Sequence, residues 1–134
     1  MLHQPAGPVP VPVVALRLGQ CECRNDLECR FLERLDDRAN CGGSYADSWS
    51  HTTDHALIAI SLVRDNCVYR DLRADFLGDR LLVGYDETHQ FGTPLDAARP
   101  GVTEVVLPTP EAMAEAAADW FERELAADAA ARAT

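Results

Sequence analysis

Residues 55–86, HALIAISLVRDNCVYRDLRADFLGDRLLVGYD, decide the fold, because they read as three strands separated by two turns. His55 to Val63 is apolar on both faces, with Leu57, Ala59 and Val63 against Ala56, Ile58, Ile60 and Leu62, the pattern of a central strand. Arg64, Asp65 and Asn66 supply a turn. Cys67 to Leu77 alternates, with Val68, Leu72, Ala74 and Phe76 on one side and Tyr69, Asp71, Arg73 and Asp75 on the other. Gly78-Asp79 is a two-residue turn with Gly first, which suits type II′, and Arg80 to Asp86 returns. That turn pairs Phe76 with Leu81, Ala74 with Val83 and Leu72 with Tyr85, all apolar and on one face. A three-residue turn at 64–66 pairs Leu62 with Val68 and Ile58 with Leu72, leaving Ile60 opposite Arg70 as the one mismatch.

Upstream, Asn25 followed by Glu28 forms a capping box for a helix over 26–39, with Leu27, Phe31, Leu32 and Leu35 on its apolar face. Asn40, Gly42 and Gly43 stop it. Residues 41–54 show neither period and read as a long loop carrying Tyr45, Trp49 and His51. Val13 to Leu18 reads as a strand closed by Gly19, preceded by a Pro-punctuated extended arm over 1–12. Downstream, 88–101 is irregular and Val102 to Leu107 is a short strand. Thr109 then caps a helix with Pro110 at its first position. Met113, Ala117, Phe121 and Leu125 form the apolar row of that helix, widened by Trp120. The expected fold is α+β: an antiparallel meander of three to five strands with both helices on one face. One domain spans 13–126, and the Ala-rich tail 127–134 frays.

The chain has 134 residues, which suits one domain, and a net charge of −10. An acidic chain lacks the clustered cations that displace phosphate counterions, so nucleic acid is not an expected partner. The only helically spaced basic row, Arg30, Arg34 and Arg38, is diluted by Asp26, Glu28, Glu33, Asp36 and Asp37. No segment reaches the ~18 apolar residues of a membrane span. The N-terminal stretch lacks a basic n-region and is broken by prolines, so it reads poorly as a signal peptide. Four of the five cysteines, Cys21, Cys23, Cys29 and Cys41, lie as C-x-C-x5-C-x11-C, without the paired C-x2-C knuckles of a zinc site. The odd count, with Cys67, points to reduced thiols in a cytoplasmic protein. No cofactor and no metal is implied.

Polar chemistry concentrates in two places. Ser48, Ser50, His51, Asp54 and His55 lie on the long loop and the entry to the central strand, without a Gly-x-Ser-x-Gly elbow to expose a nucleophile. Asp86, Glu87 and His89 follow the third strand, where carboxylates beside an imidazole can serve as acid and base. The meander is expected to bring Asp86, Glu87 and His89 to the same edge as Asp54, His55 and His51. The leading expectation is an acidic binding or accessory protein of immunity or regulatory type. It would present Tyr45, Trp49, His51 and Asp54 to a basic protein partner. The alternative is a small lyase, isomerase or cyclase using His55, His89, Glu87 and Asp86 for cofactor-independent acid–base catalysis.

Overall fold

The computed structural model describes residues 13–16, 19–40, 48–52, 54–86 and 93–133. These comprise β1 (Val13–Leu16), β2 (Gly19–Glu22), α1 (Asp26–Asn40), β3 (Ser48–Thr52), β4 (Ala56–Arg64), β5 (Cys67–Phe76), β6 (Leu81–Asp86), β7 (Thr103–Val105) and α2 (Pro110–Arg132). Strands β3 to β7 form one antiparallel sheet in chain order, and β1 and β2 pair as a separate hairpin. The fold is therefore an α+β meander, as expected. Its edges differ from the sequence reading. Gly19 opens β2 opposite Leu16 instead of closing a single strand. Residues 48–52, read as loop, form β3, with Ser48 opposite Ile60 and Thr52 opposite Ala56. The segment SWSHT offers no apolar alternation to read, and pairing with β4 supplies the order that local pattern does not.

The β5–β6 register is the expected one, from Asp71 opposite Asp86 to Phe76 opposite Leu81, and Gly78 has the positive φ (94°) its turn requires. The β4–β5 register is corrected. Asp65 and Asn66 both take positive φ (54° and 65°), which makes a tight two-residue turn with Arg64 opposite Cys67. Val63 then faces Val68 while Leu62 faces Arg70, so Tyr69 is the extra residue of a bulge. Beyond it Ile58 faces Ala74 and Ile60 faces Leu72, two positions from the expected pairing, so Arg70 is opposite Leu62 and not Ile60. A shift of two leaves every side chain on its original face.

Both helices cover one face of the sheet. Asn25 Oδ1 accepts the Glu28 N–H at 2.9 Å, capping α1, while Glu28 reaches back to the N–H of Arg24 at 2.9 Å. Phe31, Leu32 and Leu35 are fully buried, whereas Leu27, expected on the same row, is exposed. Phe31 stacks on Phe76 of β5 at 4.4 Å. Thr109 caps α2 through the Ala112 N–H at 3.1 Å, with Pro110 in the first turn. Met113, Ala114, Ala117, Ala118 and Phe121 join the core, and Trp120 and Leu125 pack at its margin. The helix continues through the Ala-rich stretch expected to fray, and Asp128 there is buried.

The basic row of α1 is taken up by α2. Arg30 grips Glu111 with two bonds of 2.8 Å, Arg34 meets Glu115 at 3.2 Å, and Arg38 contacts Glu115, Asp119 (2.9 Å) and Glu122 (2.8 Å). The Arg30 guanidinium holds the Glu111 carboxyl down at about 2. The Glu122, Glu115 and Asp119 carboxylates push the Arg38 value up.

Candidate functional site

The face of the sheet away from the helices carries Leu57, Ala59 and Ser61 on β4, Asp75, Arg73 and Asp71 on β5, and Leu82, Gly84 and Asp86 on β6. Alternation alone makes this a solvated face, yet Arg73 is 1% exposed and Asp75 is fully buried. The segment from Thr93 to Val102 covers part of it. Val102 Cγ2 and the Gly101 carbonyl come so close to Gly84 that a Cβ there would meet them at 3.0 and 3.2 Å.

Arg73 holds this layer together. Its Nε donates to Asp75 Oδ1 at 2.9 Å, its Nη2 donates to the Thr93 carbonyl at 2.6 Å, and its Nη1 lies 3.5 Å from Asp86 Oδ1. Asp75 Oδ2 accepts the Leu95 N–H at 2.7 Å. His55, immediately before β4 and 4% exposed, places Nε2 3.2 Å from Asp75 Oδ1. Neither ring nitrogen makes a hydrogen bond among the described residues. The result is a buried chain, His55–Asp75–Arg73–Asp86, in which the strongest bonds tie residues 93–95 to the sheet. A carboxylate beside an imidazole can orient it for proton transfer. Here that same carboxylate also accepts a guanidinium and a backbone N–H.

The expected working edge is corrected. In an antiparallel meander the third strand ends where the first ends, so Asp86 lies opposite Asp71 and hence beside Ser61, whereas His55 precedes the Ala56–Phe76–Leu81 row. Five positions along a strand, about 17 Å, separate those rows. Only the length of the Arg73 side chain links His55 and Asp86 through one network. Asp54 is exposed beside His55. The backbones of Trp49 and His51 lie in β3, opposite Ala59 and Leu57, and not in a loop. Tyr45, Glu87, His89 and Cys41 lie outside the described residues, as does the 1–12 arm.

Sequence reasoning missed Arg73 and Asp75 as site residues. The available signal was in their neighbours: Leu57, Ala59 and Leu82 are apolar on the face that the charges on β5 mark as polar. Among the described residues, no group of three His, Cys, Asp or Glu side chains is placed to hold a metal ion. The expectation of reduced thiols is corrected for one pair. Cys23 and Cys29 form a disulfide across the junction of β2 and α1, their Cα atoms 5.3 Å apart, because the turn into α1 folds residue 29 back over residue 23. Cys67 is free and exposed.

A second polar constellation lies at the opposite end of the sheet, on the helix side. The bulge aims Tyr69 and Arg70 together at the C-terminal half of α2. The Tyr69 hydroxyl donates to Asp128, and the Tyr85 hydroxyl donates to Glu124 at 2.7 Å. Arg64 stacks over Tyr69 at 4.5 Å and Arg70 over Tyr85 at 4.2 Å. Glu124 raises the Tyr85 phenol, with burial adding and Arg70 opposing, so the ring stays a donor. Between these groups and α2 is a cleft of about 260 Å³.

No family model, curated protein or solved structure matches this chain. Among the described residues, no helix is long and apolar enough to cross a membrane.

Proposed function

We propose that the protein is a small acidic binding module, an accessory protein of immunity or regulatory type that engages a basic protein partner. The observation that carries this reading is the fate of the cationic row of α1. Arg30, Arg34 and Arg38 are neutralised by carboxylates of α2, while Glu33 and Asp37 stay exposed on α1. The outer face of α1 thus presents acidic groups without a competing basic stripe, in a chain of net charge −10. Engagement of this kind is steered by charge and weakens with salt. The test is affinity capture with the full chain, followed by binding of the purified captured protein at rising ionic strength. Weakening with salt, and again on reversing Glu33 and Asp37 to Lys, is the expected result. Binding indifferent to both overturns the proposal.

A small acid–base enzyme is the second reading, favoured by the 3.2 Å approach of His55 Nε2 to Asp75. It assigns proton transfer to His55, with Asp75 as the carboxylate beside the ring. Burial of His55 and the double use of Asp75 as a structural acceptor weigh against it. Turnover of a small-molecule mixture that vanishes in His55→Gln would favour the enzyme, whereas partner binding that survives the same substitution favours the module. Location belongs to the same proposal. A cytoplasmic setting competes with the Cys23–Cys29 bond, which fits an oxidising compartment. Free-thiol labelling of protein taken directly from its source cells separates the two.

A further inference from the structure

The cleft between α2 and the β4–β5 turn is set apart by one cation. Arg64 and Arg132 both contact Asp128, at 3.4 and 3.1 Å. Arg70 has no carboxylate partner among the described residues. Its guanidinium carbon lies over Tyr85, 4.2 Å from the ring centre, and 5.9 Å from that of Tyr69. A guanidinium carries five N–H donors, and its planar edge matches a carboxylate with two parallel bonds. Glu124 and Asp128 line the cleft too, but Glu124 accepts from Tyr85 and Asp128 is taken up by Tyr69, Arg64 and Arg132, so the exposed Arg70 is the cation of the lining left over for a ligand.

Beside the charged Arg64, Glu124 and Asp128, the lining offers an apolar patch. Leu62 lines it together with Ala127 and Ala131 on α2, whose small side chains leave a volume of about 260 Å³. Tyr69 and Tyr85 form rigid walls, because each hydroxyl is anchored to a carboxylate of α2. Amphipathic rings of this kind provide contact area at low entropic cost. The volume is slightly below the usual range for drug-sized ligands, about 300–1,000 Å³, so the occupant is small.

We propose that this cleft binds a small organic carboxylate, with Arg70 gripping the carboxylate and the two tyrosines flanking its apolar body. The site is independent of the protein-binding reading, since it uses neither the outer face of α1 nor the His55 network.

The experiment titrates the full-length protein with benzoate, followed by the NMR signals of the Arg70 side-chain Nε–H and of the amides of 69–70 and 124–131. Benzamide, of the same shape without the charge, is the control. Saturable shifts at those positions, weakened roughly tenfold or more in benzamide and in Arg70→Gln, are expected, since charge-assisted bonds to one residue carry about that much. Ala127→Leu fills the cleft from the exposed side of α2 and is expected to abolish the shifts while the remaining amide spectrum is retained. The absence of saturable shifts in the folded wild-type protein overturns the proposal. So does equal response to benzamide, or binding that persists in both variants.

Discussion

Replacing Arg73 with Met tests whether the buried polar chain holds the outer layer to the sheet. The side chain is 1% exposed and contributes two hydrogen bonds, to Asp75 Oδ1 at 2.9 Å and to the Thr93 carbonyl at 2.6 Å, besides its 3.5 Å approach to Asp86. Methionine keeps most of the apolar stem but removes the charge. Asp75, fully buried, then faces the interior with its principal counter-charge gone. Removing one partner of a buried ion pair costs about 3–5 kcal/mol, mostly the penalty of the stranded charge. Two hydrogen bonds with a charged donor, at about 1.5–3 kcal/mol each, lead to the same range. Against a domain stability of about 5–15 kcal/mol, that is a large fraction. Urea unfolding monitored by circular dichroism measures it directly. The stranded-charge account makes a second demand: adding Asp75→Asn to Arg73→Met should restore part of the loss, because the orphaned carboxylate is removed. A cost below about 1 kcal/mol, the range of exposed pairs, refutes the reasoning. So does a double variant that is less stable than Arg73→Met alone.

Other outcomes follow from the same structure. Glu111 is lowered from its ordinary 4.5 to about 2 by Arg30, so its pairing stabilises the fold above about 4.5 and is lost as pH falls toward 2. The stability difference between the wild type and Glu111→Gln should therefore shrink across that window, as read from urea midpoints at successive pH values. Gly84→Ala places a Cβ 3.0 Å from Val102 Cγ2 and 3.2 Å from the Gly101 carbonyl, and should destabilise the protein by about 1–3 kcal/mol. Faster amide exchange within 93–102 would localise that damage. The Cys23–Cys29 bond closes a short loop with a sequence separation of 6, so Cys23→Ser with Cys29→Ser should cost about 2 kcal/mol by the loop-entropy relation. Thermal melts with and without reductant check this, since the reductant should affect only the wild type.

The legible and illegible parts of the site divide along a physical line. His55 and Asp86 stood out because His and Asp at strand ends are conspicuous, but their separation depended on strand direction, and the expected convergence misjudged it. Arg73 and Asp75 looked like ordinary solvated positions, because a charge on an alternating strand carries no mark of burial. The Tyr69–Arg70 pair was similarly hidden. A bulge at Tyr69 turns two consecutive residues toward α2, and strict alternation assigns them to opposite faces.

The sequence by itself determined the β5–β6 hairpin, the two helices with their Asn25 and Thr109 caps, and the core face of Ile58, Leu72, Ala74, Phe76 and Val83. Those features depend on alternation, turn length and capping, which act over a few neighbouring residues. Tertiary structure alone decided that 48–52 is a strand, that Arg30, Arg34 and Arg38 serve to dock α1 on α2, and that the charged face of β5 is interior. Each depends on what another segment brings to the same place. Burial, ion pairing and strand addition are relations between distant parts of the chain, and no local pattern encodes them.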